Sequence, residues 1–169
     1  MANFEPCFQR TLNFEGRELE TVPNDPGGET YYGISRKWNP FWDGWKLIDQ
    51  NPSNITLPDL AKDFYLTVYW NRNKLGSLDS QELAAQVFDA VVNLGDDPIK
   101  ALQALAGVVT DGIMGVESVY ACNVQDEDKL VAGFIGWRKL FYANLVEKDP
   151  SKKEFLNGWL ARCKLTTEA

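Results

Sequence analysis

Three side chains near the amino terminus have types and a spacing suited to acid–base chemistry: Glu15, Asp25 and Thr30. The chain contains no histidine, which excludes serine–histidine and cysteine–histidine nucleophile pairs and histidine metal sites. Any catalysis must therefore use carboxylates, hydroxyls or amides. This pattern implies neither a metal ion nor an organic cofactor.

Glu15 stands at the end of a predicted helix. From Asn3 onward the apolar residues recur at helical spacing, and Gly16 is a plausible stop. At about 100° per residue, Glu15 shares a face with Phe4 and Phe8. Partial burial there, together with the negative end of the helix dipole, favours the protonated carboxyl that a general acid needs. A solvent-exposed glutamate at a frayed helix end is the alternative, and the geometry by itself does not decide between them.

Asp25 lies in the loop PNDPGG, whose prolines and glycines allow it to fold back across the helix end. There it could activate or orient a water molecule, with the Thr30 hydroxyl as a second hydrogen-bond partner. An inverting glycoside hydrolase requires a carboxyl separation of about 6.5 to 9.5 Å to admit that water. The structural alternatives are that Asp25 only forms a turn and that Thr30 is an ordinary strand residue.

The rest of the sequence predicts mainly helices. Their predicted positions are a helix after Thr56, one from Asp79 to Gly95, Pro98 to Ala106, Glu117 to Ala121, Asp128 to Val146, and a last helix capped by Ser151 with Glu154. An aromatic loop is predicted from Trp38 to Trp45. Turn residues followed by ETYYGIS predict a small β-like excursion near residues 20–35. The longest of these helices is predicted to carry one apolar stripe, with Trp137 among its core residues: Leu130, Phe134, Trp137, Phe141 and Leu145. The helix after Thr56 is predicted to bury the face formed by Leu57, Ala61, Phe64 and Val68. The expected fold is therefore mainly α.

Composition restricts the classes of partner. A net charge of −7 argues against nucleic acid, because phosphate binding depends on basic groups. No apolar run approaches the roughly 18 residues of a membrane span, and the amino terminus resembles no signal peptide, so neither membrane insertion nor a signal peptide is expected. The odd number of widely spaced cysteines predicts buried free thiols.

The segment EGRELETVPNDPGGETYYGIS, residues 15–35, resembles the signature of glycoside hydrolase family 108, the N-acetylmuramidases of phage and prophage endolysins, some of which are called secretion activators. Matching motifs continue at YW (69–70), FDAVVNLG (88–95), LQALAGVVTDGIMG (102–115) and GWLARC (158–163). The resemblance covers nearly the whole chain. One departure is Arg17, which stands where the family usually has a second glycine.

The resemblance implies a lysozyme-like helical fold. Residues 1–91 would form the muramidase catalytic region and residues 92–169 a helical peptidoglycan-binding-like region, packed together as one compact unit. Glu15 would be the proton donor for hydrolysis of the β-1,4 bond between N-acetylmuramic acid and N-acetylglucosamine. Asp25 and Thr30 would complete the family's Glu-Asp-Thr arrangement. Two alternatives remain: a lytic transglycosylase, and a non-catalytic wall-binding or secretion-assisting protein of the same fold.

Six further side chains are candidates for saccharide contact: Tyr31, Tyr32, Trp42, Tyr69, Asp89 and Asn93. One of Tyr31 and Tyr32 should face the cleft if the strand alternates. Trp42 could stack on a sugar ring or cover the core beneath its loop. Asp89 and Asn93 lie one helical turn apart and could line the cleft, or could be solvated or pack between helices.

The resemblance also predicts the biological setting. The expected partner is bacterial peptidoglycan, and the expected oligomeric state is a monomer. Endolysins of this kind are made in the host bacterial cytoplasm and reach the cell wall through a membrane lesion made by a holin. We therefore expect holin-dependent release followed by degradation of the wall.

Overall fold

The structure, a computed structural model, describes residues 1–15, 19–21 and 28–164. Its helices and strands are α1 Phe4–Glu15, β1 Leu19–Thr21, β2 Glu29–Tyr31, β3 Ile34–Ser35, α2 Gly44–Gln50, α3 Leu57–Tyr65, α4 Gln81–Leu94, α5 Asp97–Ala106, α6 Val116–Asn123, α7 Glu127–Lys148 and α8 Leu156–Ala161. A π-helical turn, Leu66–Asn71, follows α3, and 3-10 turns lie at Leu75–Ser77 and Pro150–Phe155. The predicted mainly α, lysozyme-like fold with a small β excursion is confirmed.

The chain forms two compact units. One is Phe8–Val68, and the other combines Met1–Cys7 with Tyr69–Ala169. The predicted catalytic and binding regions, residues 1–91 and 92–169, stay a prediction.

A three-stranded antiparallel sheet lies in the unit Phe8–Val68, with β2 between β1 and β3. Tyr31 pairs with Ile34, so Tyr32 and Gly33 form a two-residue hairpin turn. Both turn residues have positive φ, 52° and 73°, as type I′ turns require. Glycine adopts a positive φ readily because it has no Cβ, whereas a positive φ is sterically unfavourable for Tyr32.

The helix α2 was not predicted, because the sequence favours a loop as far as Trp45. Arg36 connects α2 to the sheet: its guanidinium bonds Glu29 on β2 at 2.7 Å and Asp49 on α2 at 2.5 and 2.8 Å. It also lies 5.2 Å from the centre of the Trp45 ring. The hydrogen bonds from Arg36 hold the pKa of Asp49 below its ordinary value.

The second unit is built around α4. Every side chain from Leu83 to Val91 is buried, and α4 packs against α5 and α7. Ser80 caps α4 by accepting a hydrogen bond from the Leu83 amide at 3.0 Å, so the helix begins slightly later than the predicted start at Asp79. The predicted stop at Gly95 is confirmed.

One side of α7 differs from the predicted apolar stripe. Leu130 and Phe134 are buried as expected, but the buried line continues through Arg138 and Tyr142. Trp137, predicted to be a core residue, is only half-buried. The sequence stripe was wrong in its second half because a buried arginine carries no apolar signal.

The three cysteines, Cys7, Cys122 and Cys163, are buried free thiols, as predicted. Burial raises the pKa of the Cys122 thiol to about 11. Within the described ranges, no helix is both long and apolar enough to span a membrane.

Candidate active site

Glu15 is the last residue of α1 and is half-buried. Its side chain packs against the hairpin turn at Gly33. A Cβ atom placed on Gly33 would lie 2.9 Å from the Glu15 Cβ and 3.0 Å from its Oε2. A side chain at position 33 would therefore occupy space that the Glu15 carboxyl needs.

Tyr65, at the end of α3, completes the surroundings of this turn. Its hydroxyl donates a hydrogen bond to the Tyr32 carbonyl at 2.7 Å and would lie 2.9 Å from a Cβ on Gly33. Its ring contacts Phe8 of α1, with centroids 5.4 Å apart. Tyr65 therefore joins α1, α3 and the hairpin beside Glu15.

Sequence reasoning missed both Gly33 and Tyr65 as site residues. It placed Phe64 on the buried face of α3, whereas the structure buries Tyr65 and leaves Phe64 half-buried. The spacing of Leu57, Ala61 and Tyr65, four residues apart each time, is the signal that indicates the buried face. The sequence marks Gly33 only as the first residue of the GIS motif. Its contact with Glu15 in the folded chain shows why a larger side chain does not fit there.

Three of the predicted saccharide-contacting aromatics lie together. The rings of Tyr31 and Tyr32 are 4.8 Å apart, and Trp42 stacks on Tyr31 at 6.0 Å. Tyr31 is buried, and burial is the main reason that its pKa is raised. Tyr32 at the turn is partly exposed, so it is the tyrosine available to a ligand. The Trp42 ring also fills the space next to Gly44, which supports the alternative that it covers the core beneath its loop. It is nevertheless partly exposed.

Thr30 occupies the middle of the sheet. It is half-buried on β2, between Glu20 of β1 and Ser35 of β3, in the same hairpin whose turn contacts Glu15. Asp25 lies outside the described residues, as does Arg17. The predicted roles of Asp25 and Thr30 therefore stay predictions.

The remaining candidates belong to the other unit. Tyr69 is half-buried in the π-helical turn, where its carbonyl accepts a hydrogen bond from Asn73 at 2.8 Å. Asn93 is exposed on α4, and its amide donates to the Asp89 carbonyl at 2.8 Å. The side chain of Asn93 is thus on the surface of its helix, whereas that of Asp89 is 1% exposed.

Asp89 is the centre of a buried ion cluster. Its carboxylate accepts hydrogen bonds from Arg138 of α7 at 2.5 Å and from Arg162 at 2.7 Å. Gln86 accepts from Arg138 at 2.6 Å and donates to the Lys164 carbonyl at 2.7 Å. This arrangement supports the helix-packing alternative for Asp89. These hydrogen bonds connect Arg162 and Lys164, which follow α8, to α4, and Arg138 connects α7 to the same carboxylate.

Within the described ranges 1–15, 19–21 and 28–164, no group of three or more histidine, cysteine, aspartate or glutamate side chains has an arrangement able to hold a metal ion.

The comparisons with known proteins agree with the fold. A family model described as glycosyl hydrolase 108 matches residues 8–95, and one described as a predicted peptidoglycan domain matches residues 97–164. The solved structure of Brucella abortus SagA is similar, with a TM-score of 0.69 and 21% sequence identity over 94% of this chain and 88% of that chain. At that identity the likeness concerns the fold alone. No curated protein matches the chain.

The first of these matches spans more than half of the 169 residues and contains Glu15, the hairpin and Tyr65. The second follows it directly and supports peptidoglycan as a partner. The chain therefore belongs to the glycosyl hydrolase 108 family and carries a peptidoglycan domain at residues 97–164.

Proposed function

We propose that this chain is a muramidase that hydrolyses the β-1,4 bond between N-acetylmuramic acid and N-acetylglucosamine in peptidoglycan, with Glu15 as the general acid. The family supports a glycoside hydrolase, and the peptidoglycan domain supports the polymer on which it acts. The observation that carries the assignment of Glu15 is its packing against Gly33 beside Tyr65. A carboxyl that packs against this turn cannot move in the direction of the hairpin.

Restriction of that kind is what proton transfer requires. A general acid must stay within hydrogen-bond reach of the oxygen that it protonates, and loss of position by 1 Å can cost about 100-fold in rate. The hairpin turn blocks one direction of movement for Glu15, and the hydrogen bond between Tyr65 and Tyr32 holds that turn. Glu15 would donate its proton to the glycosidic oxygen as the bond to the muramic acid carbon breaks.

The step after bond cleavage separates two kinds of enzyme. In the hydrolase that we propose, Asp25 activates a water molecule and the Thr30 hydroxyl helps to orient it. A lytic transglycosylase would use the same acid without a water-activating aspartate and would leave 1,6-anhydromuramic ends.

Tyr32 would offer a partly exposed ring to a sugar of the bound strand, because aromatic faces suit the apolar side of a pyranose.

The decisive experiment is product analysis on purified peptidoglycan with wild type and Glu15→Gln. Glu147→Gln is the matched control, since Glu147 is also a glutamate in the last turn of a helix but is exposed on α7. We expect reducing ends from wild type and from Glu147→Gln, and a loss of about 100- to 10,000-fold for Glu15→Gln, the usual contribution of general acid catalysis. Full activity in Glu15→Gln would refute the assignment.

Asp25→Asn, measured in parallel, tests the water step. Reducing ends that disappear in Asp25→Asn support hydrolysis with Asp25 as the base. Anhydro ends from wild type would instead identify a transglycosylase. The other candidate function, a non-catalytic wall-binding or secretion-assisting protein, is favoured by the peptidoglycan domain alone. It would be established by sacculus binding without any new product detectable by mass spectrometry.

We further propose that the protein acts as a phage or prophage endolysin, a monomer made in the host cytoplasm and released to the wall by a holin. This proposal rests on the resemblance of residues 15–35 to endolysin signatures. Induced expression in a bacterial host should leave growth unaffected until a holin is co-expressed, and lysis should then follow. Lysis that needs a holin but persists with Glu15→Gln would contradict an enzymatic role.

A further inference from the structure

A cavity of about 400 Å³ lies between α5, α7 and the segment that follows α5. It is lined by Asp97, Lys100, Ala101, Thr110, Trp137 and Phe141. All six residues fall within the region matched by the peptidoglycan domain. The volume is within the range of about 300 to 1,000 Å³ that is usual for small-molecule sites.

The wall that carries Thr110 is held in place by a buried glutamine. Gln103, on α5, accepts a hydrogen bond from the Gly112 amide at 2.8 Å and donates to the Asp111 carboxylate at 2.8 Å and the Ile113 carbonyl at 3.1 Å. Asp111 in turn accepts from the Ile113 amide at 2.8 Å. These hydrogen bonds hold the DGIMG turn, residues 111–115, against α5. The adjacent Thr110 therefore has a fixed position in the wall of the cavity.

Lys100 supplies a cation to the same cavity. Gly112, with a φ of +80°, lies over its side chain: a Cβ there would be 3.3 Å from the lysine Cε and 3.5 Å from its Cγ. The turn therefore restrains the lysine stem. Among the described residues, no carboxylate forms an ion pair with the Lys100 ammonium, although Asp97 lines the same cavity.

The opposite wall is aromatic. Trp137 and Phe141 lie one helical turn apart on α7, with ring centroids 5.4 Å apart. They are the two aromatic residues of the predicted core stripe that the structure leaves half-buried, while Arg138 and Tyr142 take the buried positions. Their rings present apolar area to the cavity, and apolar ring faces stack on the C–H face of a sugar.

We infer that this cavity binds a muropeptide unit of peptidoglycan, separately from catalysis at Glu15. The sugar stacks on Trp137 and Phe141, and a carboxylate of the stem peptide binds the Lys100 ammonium. The Lys100 ammonium favours this occupant over the glycan strand alone, because the stem peptide carries free carboxylates whereas the lactyl carboxyl of the glycan is bound to that peptide as an amide. The identity of the ligand rests on the proposed function, while the site itself rests on the cavity and its walls.

The test is calorimetric titration of the full chain with a reduced disaccharide–tetrapeptide muropeptide, using Glu15→Gln as the background so that no turnover occurs. Lys100→Met keeps the aliphatic stem under Gly112 and removes the charge. Lys139→Met is the matched control, because Lys139 is exposed on α7 and does not line the cavity. We expect Lys100→Met to weaken binding about tenfold, as for loss of one charge-assisted hydrogen bond, and Lys139→Met to leave it unchanged.

A chemically matched ligand sharpens the assignment. The same muropeptide with amidated stem carboxylates should bind about tenfold more weakly to the Glu15→Gln background, and equally weakly to its Lys100→Met derivative. In nitrogen-15 spectra, the indole N–H signal of Trp137, identified by its loss in Trp137→Phe, should shift on binding. Equal affinities for Lys100→Met and Lys139→Met, or an unshifted Trp137 signal in the bound protein, would overturn the inference.

These outcomes are independent of the muramidase proposal. Release of reducing ends by the wild type tests catalysis, whereas titration in Glu15→Gln measures binding alone. A muropeptide that binds only beside Glu15 would give the same affinity with and without the Lys100 ammonium. That result would overturn the second site and leave the proposed function standing.

Discussion

Replacement of Gly33 by alanine should damage the proposed active site more than its small size suggests. The added methyl group would lie 2.9 Å from the Glu15 Cβ and from the Tyr65 hydroxyl, and 3.0 Å from Glu15 Oε2. Ordinary contact begins at 3.4 Å, so the neighbours must move by about 0.5 Å. Both neighbours are held by packing, and Tyr65 is also held by its hydrogen bond to the Tyr32 carbonyl.

Two costs add at this position. An L-residue with a left-handed φ costs about 1 to 2 kcal/mol relative to glycine. Overpacking of a filled site typically costs about 1 to 3 kcal/mol more. We therefore expect Gly33→Ala to lower the free energy of unfolding by about 2 to 5 kcal/mol. A shift of half an ångström in the acid should reduce kcat/KM by about tenfold or more.

Gly107→Ala separates these two costs. Gly107, the residue after α5, has a φ of +74°, close to the +73° of Gly33, but a Cβ there would meet none of the described atoms within 4 Å. It should lose only about 1 to 2 kcal/mol and keep full activity. Urea denaturation gives the stability of both variants, and reducing-end release from peptidoglycan gives kcat/KM. Equal losses of stability in the two variants, with activity intact in Gly33→Ala, would refute the close-contact argument.

Other substitutions test the supporting structure. Tyr65→Phe removes the hydrogen bond to the Tyr32 carbonyl and should cost about 1 kcal/mol in urea denaturation; an unchanged midpoint would contradict a supporting role. Asp89→Asn leaves two buried guanidinium groups without their anion and should cost about 3 to 5 kcal/mol, whereas Asp96→Asn, in an exposed pair with Arg72, should cost less than about 1. Because the pKa of Asp49 is lowered in the folded protein, its stabilisation is complete above the ordinary pKa of 3.8 and is lost as pH falls through the lower folded value; Asp49→Asn should therefore lose stability at pH 6, and a loss that did not shrink as the pH falls below 3.8 would contradict this linkage.

Much of the helical framework could be predicted because helix signals are local. Apolar spacing and Gly16 located the end of α1 at Glu15, and glycines marked the ends of α4 and α5. The motif at residues 15–35 led to the family that the family model then showed. These features depend on residues within a few positions of one another, so the amino-acid order alone contains them.

Long-range partners could not be predicted in the same way. Arg138 reads as a surface residue on an amphipathic helix, yet it is fully buried, because Asp89, 49 residues earlier, supplies its countercharge. Tyr65 similarly donates to a carbonyl 33 residues away. The spacing of Leu57, Ala61 and Tyr65 indicates that Tyr65 is buried, but no periodic pattern in either segment indicates its distant partner.

The order of the amino acids is enough to place Glu15 at the end of an amphipathic helix and within a family motif. The packing of Gly33 against its side chain, the place of Tyr65 beside that turn, and the burial of Tyr31 next to an accessible Tyr32 depend on the folded chain. The roles of Asp25 and Thr30 remain predictions. Helix formation follows from neighbouring residues, whereas the position of an acid depends on distant segments that exclude its other conformations.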